Sequence, residues 1–271
     1  MRVSVRQLAA SLLFPFLAFS PTYAADMMAK VPSPAPAAPA ANWTGFYVGG
    51  NAGGAWGSDR VTSTLNAPAP FLPVDTAAVS SAASPTLSPN GFTGGLQAGY
   101  NWQNGSWVWG GEADFDYLGL KASNNATLPF PSTLPGGAVG PPTAFFSTAT
   151  SEQASWLFTA RQRLGWANEN WLIYATGGLA VGRDKFSQNV GLVAPSVETI
   201  ANSSTRVGWT IGAGVEYALS QKWSVKAEYL HVDLGSVATF GTLTPAFAGL
   251  TLSGTTRLTT EIARAGVNYH L

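Results

Sequence analysis

The sequence predicts an all-β fold, an eight-stranded antiparallel transmembrane β-barrel of the outer-membrane type. Three observations lead there. Alternating apolar and polar residues recur in eight segments between Trp43 and Leu271. The connections between them are by turns short and long, and aromatic residues gather at both ends of the segments. Short turns on one side, long loops on the other and two aromatic girdles are the marks of a lipid-embedded barrel.

Composition narrows the alternatives. The 271 residues include no cysteine, 30 glycines and only 10% charged residues, with a net formal charge of zero. Soluble domains carry about 25% charged residues, and nothing in this balance suggests nucleic-acid binding. Residues 1–24 read as a secretory signal peptide: Arg2 and Arg6, the apolar run Leu8–Phe19, then Thr22-Tyr23-Ala24 before Ala25. Residues 25–41 form a Pro/Ala-rich linker, a composition that favours extended spacers. Beyond the leader no stretch supplies the roughly 18 apolar residues of a membrane helix. A membrane location therefore requires a closed barrel, here residues 42–271, because open sheet edges cannot be satisfied in lipid.

The most informative stretch is Phe92–Leu120, two alternating arms joined by Gln103-Asn104-Gly105-Ser106. Asn-Gly between alternating runs is a strong hairpin signal, since both residues tolerate positive φ. Leu96, Ala98, Tyr100 and Trp102 share one face of the first arm, and Trp107, Trp109, Ala113, Phe115 and Tyr117 one face of the second. The same parity runs through Trp43–Trp56, Trp156–Trp166, Trp171–Arg183, Arg206–Leu219, Trp223–Asp233 and Leu258–Leu271. Gln162 falls on the apolar face of its segment, a mismatch with the alternation.

The connections 103–106, 167–170 and 219–222 are short; 57–91, 121–155, 184–205 and 234–257 are expected to be long, mobile loops. Short turns are periplasmic in such barrels, which puts both chain ends in the periplasm and the long loops outside the cell. Trp43, Trp102, Trp107, Trp166, Trp171, Trp223 and Tyr269 fall at the short-turn end, Trp56 and Trp156 toward the other. These are the candidate membrane-interface aromatics, at the depth where amphipathic rings are favoured.

The opposite parity collects Glu112, Asp114, Asp116, Arg161, Arg163, Glu216, Lys226, Glu228 and Arg264 inside the barrel. An eight-stranded barrel has room for little more than its own side chains, so these charges form either a paired polar plug or a narrow channel. Inward glycines (Gly49, Gly53, Gly95, Gly99, Gly178, Gly208, Gly212) are expected to leave space for the second. No cofactor, metal or enzymatic activity is implied. His231 and His270 are the only histidines, and neither has a serine placed beside it to form a hydrolytic site.

Trp43-Thr44-Gly45-Phe46-Tyr47-Val48-Gly49-Gly50-Asn51-Ala52-Gly53, Gly94–Trp102, Tyr174–Ala180 and Arg264–Tyr269 resemble motifs of the outer-membrane immunogenic protein family of alphaproteobacteria. These are relatives of the opacity-type and OmpA-type small barrels. The resemblance covers most of 43–271. It implies a surface-exposed envelope protein, with solute passage or hemin binding in some members. It also implies contact with outer-membrane lipids and lipopolysaccharide, and recognition by the barrel-insertion machinery through the last strand. That strand ends in His270-Leu271 where the family commonly ends in Phe, a departure that bears on insertion. Some members are joined to peptidoglycan through an Ala-Asp amino terminus, which makes Ala25 and Asp26 a candidate tether. The chain is expected to lack the separate peptidoglycan-binding domain of larger OmpA-type proteins.

Overall fold

The computed structural model describes residues 41–67, 71–132, 145–193, 196–242 and 251–271. Its strands are β1 (Gly45–Asn66), β2 (Thr86–Leu87), β3 (Asn90–Asn104), β4 (Trp107–Pro129) and β5 (Phe145–Asn168), followed by β6 (Trp171–Val193), β7 (Ser196–Ala218), β8 (Trp223–Thr242) and β9 (Thr251–His270). One helix, α1 (Pro73–Ala82), lies between β1 and β2. Every pairing is antiparallel, and β1 pairs with both β3 and β9. Eight staves, β1 and β3 to β9, thus close into a ring, with β2 a short addition against β1.

Local chemistry sets the hairpins. The first short turn is a two-residue connection between paired Asn104 and Trp107, and Gly105 takes φ 60°. A positive φ at the first central position is the type II′ pattern, whose twist matches that of the strands it joins. The 168–171 turn repeats it with Glu169 at φ 53°.

The wall is taller than the alternation predicts. β4 to β7 each contain 23 or 24 residues, against about 9–11 for a spanning strand. Much of 57–66, 121–129, 145–155, 184–205 and 234–257, expected as loop, is strand. These extensions carry polar residues on both faces, as in Thr148, Thr150 and Glu152 inside and Ser147 and Ser151 outside. Without a lipid face, a strand loses its apolar half and reads as loop.

Helix α1 is a second departure from the loop expectation. Pro73 opens it, a position where a missing N–H costs nothing, and the Asp75 carboxylate accepts from Leu72 N–H. β3 stops at Asn90, which leaves the upper edge of β1 without a strand partner on that side beyond β2. The helix and the residues just after it cover it: Leu65 N–H donates to Ser80 Oγ and Ser63 N–H to Ser84 Oγ, both at 2.9 Å. Gln188 Nε2 in turn donates to the carbonyl of Ala83 at 2.7 Å.

The lumen is filled in layers. At the short-turn end Trp43, Val108, Ala167, Leu172 and Tyr174 cluster. A charged layer follows, then an apolar one of Leu118, Leu157, Leu230, Leu258 and Ile262. At the long-loop end Leu65, Phe146, Val190 and Leu252 pack with Val79 of α1. The outer surface is apolar: Leu96, Leu164, Ile173, Leu179, Val207 and Ile211 are all exposed. Among the described residues no helix is long and apolar enough to cross a membrane.

Candidate functional site: the charged layer

All nine charged residues assigned to the interior are buried, none more than 4% exposed. The register explains why they meet. Glu112 is directly opposite Arg161 on the neighbouring strand, Glu216 opposite Lys226, and Glu228 opposite Arg264. Each of these positions has the inward parity of its strand.

Contacts then run across the lumen. Arg161 Nη2 lies 2.5 Å from Glu112 and 2.8 Å from Asp114, while its Nη1 lies 3.0 Å from Glu228. Arg264 joins Asp116 at 2.5 Å and Glu228 at 2.7 Å. Arg163 binds Glu216 at 2.7 Å and donates to Tyr47 Oη at 2.6 Å. Lys226 Nζ reaches both Glu112 oxygens, at 2.9 and 3.0 Å. Since β4 and β8 are four staves apart in a ring of eight, this last contact spans the diameter.

Neutral side chains complete the network. Tyr47 donates to Glu112, Tyr174 to Glu228, Thr159 to Asp114, and Asn268 and Ser224 to Glu216. Asn51 donates to Asp116 and to Gln97, and Gln97 donates to Asn268. The Arg163 guanidinium also stacks 3.9 Å from the Tyr174 ring centre. The alternation placed several of these on the polar face without assigning them to the network. Their inward parity was the available signal.

The inward glycines leave no passage, which corrects the expectation of space. A Cβ at Gly49 would meet Asn268, at Gly53 Arg264, at Gly95 Asp116, and at Gly99 the Tyr47 ring. At Gly178, Gly208 and Gly212 it would strike neighbouring backbone. Glycine is required here because the backbone and inward side chains of neighbouring strands occupy the volume.

The aromatics divide. Trp56, Trp102, Trp107, Trp166, Trp171 and Trp223 project outward and are exposed; Trp156 and Tyr269 are outward and half-buried. Trp107 packs on Trp166, Trp171 on Tyr217, and Trp223 on Tyr269. Trp43 is different. It is 1% exposed, packed edge-on against His270, with its backbone N–H donating to Gln103 Oε1. It precedes the first residue of β1 but keeps that strand's parity, sharing the inward side with Tyr47 and Asn51, and it fills the lumen as a stopper. Gln162 faces outward between Gly111 and Gly177 of the flanking strands.

A second polar layer, in stretches that the alternation predicts as loop, lies beyond the Trp56 and Trp156 positions. Arg206 pairs with Asp184 at 2.6 Å and donates to Thr256. Asp59 and Glu152 are buried beside it with no cationic partner at ion-pair distance among the described residues. Burial, followed by the Asp59 carboxyl alongside, pushes Glu152 up to about 10. Burial likewise raises Asp59.

His231 faces outward, its Nδ1 2.6 Å from Glu261. Among the described residues no cluster of three or more His, Asp or Glu could hold a metal. Ala25 and Asp26, with the leader and nearly all of the linker, lie outside the described residues.

Residues 28–270 match the family described as outer membrane protein beta-barrel domain. The 31 kDa outer-membrane immunogenic protein of Brucella melitensis biotype 1 is 39% identical over 217 residues, 78% of this chain and 80% of that protein. The 22 kDa outer membrane protein of Rhizobium leguminosarum bv. viciae is 31% identical over 74% of this chain and 69% of its own. Among solved structures, the outer membrane protein OprG of Pseudomonas aeruginosa aligns with a TM-score of 0.46 and 10% identity, covering 85% of this chain and 99% of that one. A closed antiparallel ring with an apolar exterior, together with the family match and the Brucella and Rhizobium relatives, assigns the chain to the outer membrane protein β-barrel family, in the branch that includes the Brucella outer-membrane immunogenic proteins.

Proposed function

We propose that this protein is a sealed, non-enzymatic outer-membrane barrel serving envelope integrity, with its long-loop end exposed at the cell surface. The observation that carries the reading is the Lys226–Glu112 contact across the full barrel diameter. The apolar layers on either side of it supply no polar path for water or ions. Buried charges that are fully paired and hydrogen-bonded tie strands together with little net cost, while an unpaired one is expensive. The network therefore acts as a set of cross-braces between opposite walls.

In this reading both chain ends lie in the periplasm, the outward aromatics hold the barrel at its depth in outer-membrane lipid, and the last strand is presented to the barrel-insertion machinery. The linker would reach roughly 50 Å toward peptidoglycan if extended, with Ala25-Asp26 as the candidate attachment point. Deletion of the gene should sensitise cells to detergent and chelator, and the wild-type gene should restore resistance. Unchanged sensitivity would remove the integrity role. Orientation is tested separately with single cysteines, since the chain has none of its own. In intact cells a membrane-impermeant maleimide should label Ser187→Cys and spare Ser106→Cys; the reverse pattern overturns the topology.

A further inference from the structure

The outer wall is not uniform above its aromatic belt. On β4 to β7, Lys121, Gln153, Lys185 and Ser203 stand in one register row, each paired with the next. All four face outward and are exposed. Arg183, also exposed, donates to Ser203 Oγ at 3.2 Å and is paired with Trp156 of the belt. The next row outward is Ser123, Ser151, Ser187 and Ala201. Together these rows line a groove of about 810 Å³ on the barrel's exterior. The two lysines are two strand spacings apart, roughly 10 Å.

On the opposite wall Arg60 of β1 stands outward in register with Arg257 and has no ion pair among the described residues, but the cations of β8 and β9 are balanced. On β8 and β9 Arg257 is held by Asp233 at 2.8 Å, and His231 by Glu261 at 2.6 Å. In the groove rows no acidic side chain faces outward, and among the described residues neither lysine is in an ion pair. The groove thus combines two uncompensated ammonium groups with a line of hydroxyls and amides, and the Arg183 guanidinium adjoins it through Ser203, in register with Trp156 and Tyr117 of the belt. That is the chemistry of a surface for a phosphorylated sugar whose acyl chains continue down the apolar wall. Ammonium and guanidinium groups bind phosphate oxygens through charge-assisted hydrogen bonds, and hydroxyls and amides suit saccharide.

We propose that this groove binds the phosphorylated saccharide headgroup of an outer-leaflet glycolipid, a lipid A-type molecule, on one side of the barrel only. The proposal rests on the orientation given above, which puts the long-loop end in the outer leaflet. Its test on purified protein does not depend on that orientation, so the two can fail separately.

The full mature chain in detergent is titrated with bisphosphorylated lipid A, its dephosphorylated form, phosphatidylglycerol and inorganic phosphate. Bound lipid is read by native mass spectrometry, and folding by gel mobility without boiling. Wild-type protein should retain the bisphosphorylated lipid in preference to the other three. Lys121→Gln with Lys185→Gln should weaken that binding about tenfold, the equivalent of losing one good charge-assisted contact. The double Lys→Arg variant should restore it, and Arg257→Gln on the far wall should leave it unchanged. Equal binding of the dephosphorylated lipid, of phosphatidylglycerol or of free phosphate would overturn the assignment. So would unchanged lipid A binding by a folded double Gln variant.

Discussion

Lys226 on β8 and Glu112 on β4 meet across the centre of the barrel, the ammonium nitrogen 2.9 and 3.0 Å from the two carboxylate oxygens. Neither strand touches the other in the wall, so this pair joins two surfaces that the sheet alone leaves independent. Arg161 adds a brace from β5 to Glu228 on β8, and Arg264 one from β9 to Asp116 on β4.

Removing one member of the central pair should cost more than removing both. Lys226→Met leaves Glu112 buried with Arg161 and Tyr47 but without its cation from the opposite wall, and breaking a buried pair costs up to about 3–5 kcal/mol. Lys226→Met combined with Glu112→Gln should recover part of that loss. Urea unfolding followed by tryptophan fluorescence, arranged as a double-mutant cycle, checks it. Strictly additive losses would mean that the two side chains do not interact.

The glycines give a matched comparison. Gly53→Ala drives a Cβ into the Arg264 backbone and side chain, whereas Gly54→Ala, one residue on and facing lipid, meets nothing within 4 Å. Overpacking of this kind costs about 1–3 kcal/mol. The thermal midpoint of the gel-mobility shift should fall for Gly53→Ala and stay within error for Gly54→Ala.

Stability should fall with rising pH through Glu152. Its folded value, pushed up to about 10, lies above that of an ordinary carboxyl, so the folded state holds a proton that the unfolded state gives up. The stabilising protonation is complete below the ordinary carboxylate range and is lost progressively as pH rises toward about 10. Wild-type unfolding midpoints should therefore decline from pH 5 to pH 9, and Glu152→Gln should flatten the decline. A slope that Glu152→Gln leaves unaltered would remove Glu152 as its source.

The sequence made the lipid-embedded half of the barrel legible and hid the rest for a physical reason. Trp209, Ile211, Ala213 and Val215 alternate with inward polar or glycine positions because lipid selects one face and the charged layer the other. Past Trp56 that selection stops: Asp59, Ser63 and Glu152 point inward as polar residues while polar residues also point outward, so strand and loop look alike. The nine interior charges were readable from parity. Their partners across the lumen were not, since a diameter contact depends on strand order and stagger. Helix α1 did carry a start signal in Pro73 and Asp75, but its Ala/Ser-rich body shows no apolar stripe. Trp43 reads as a belt residue from its place at the strand end, yet its parity, shared with Tyr47 and Asn51, puts it inside.

The lipid face has a depth scale. Ala213 lies midway between the belt residues Trp209 and Tyr217 on β7, and Val215 one outward position nearer the short-turn belt. Arginine at the midplane of such a barrel costs about 2–4 kcal/mol, falling toward zero near the interfaces. Ala213→Arg should thus destabilise more than Val215→Arg in bilayer unfolding titrations. The opposite order would shift the membrane plane along the barrel.

Single-channel recording on the purified barrel in a planar bilayer tests the sealed interior most directly. Wild-type protein inserted in folded form should give no discrete conductance steps, because Lys226 and Glu112 close the centre and apolar layers close both sides. Reproducible ion steps from wild-type protein, altered by Arg161→Ala or Glu112→Ala, would contradict the account and identify a channel instead.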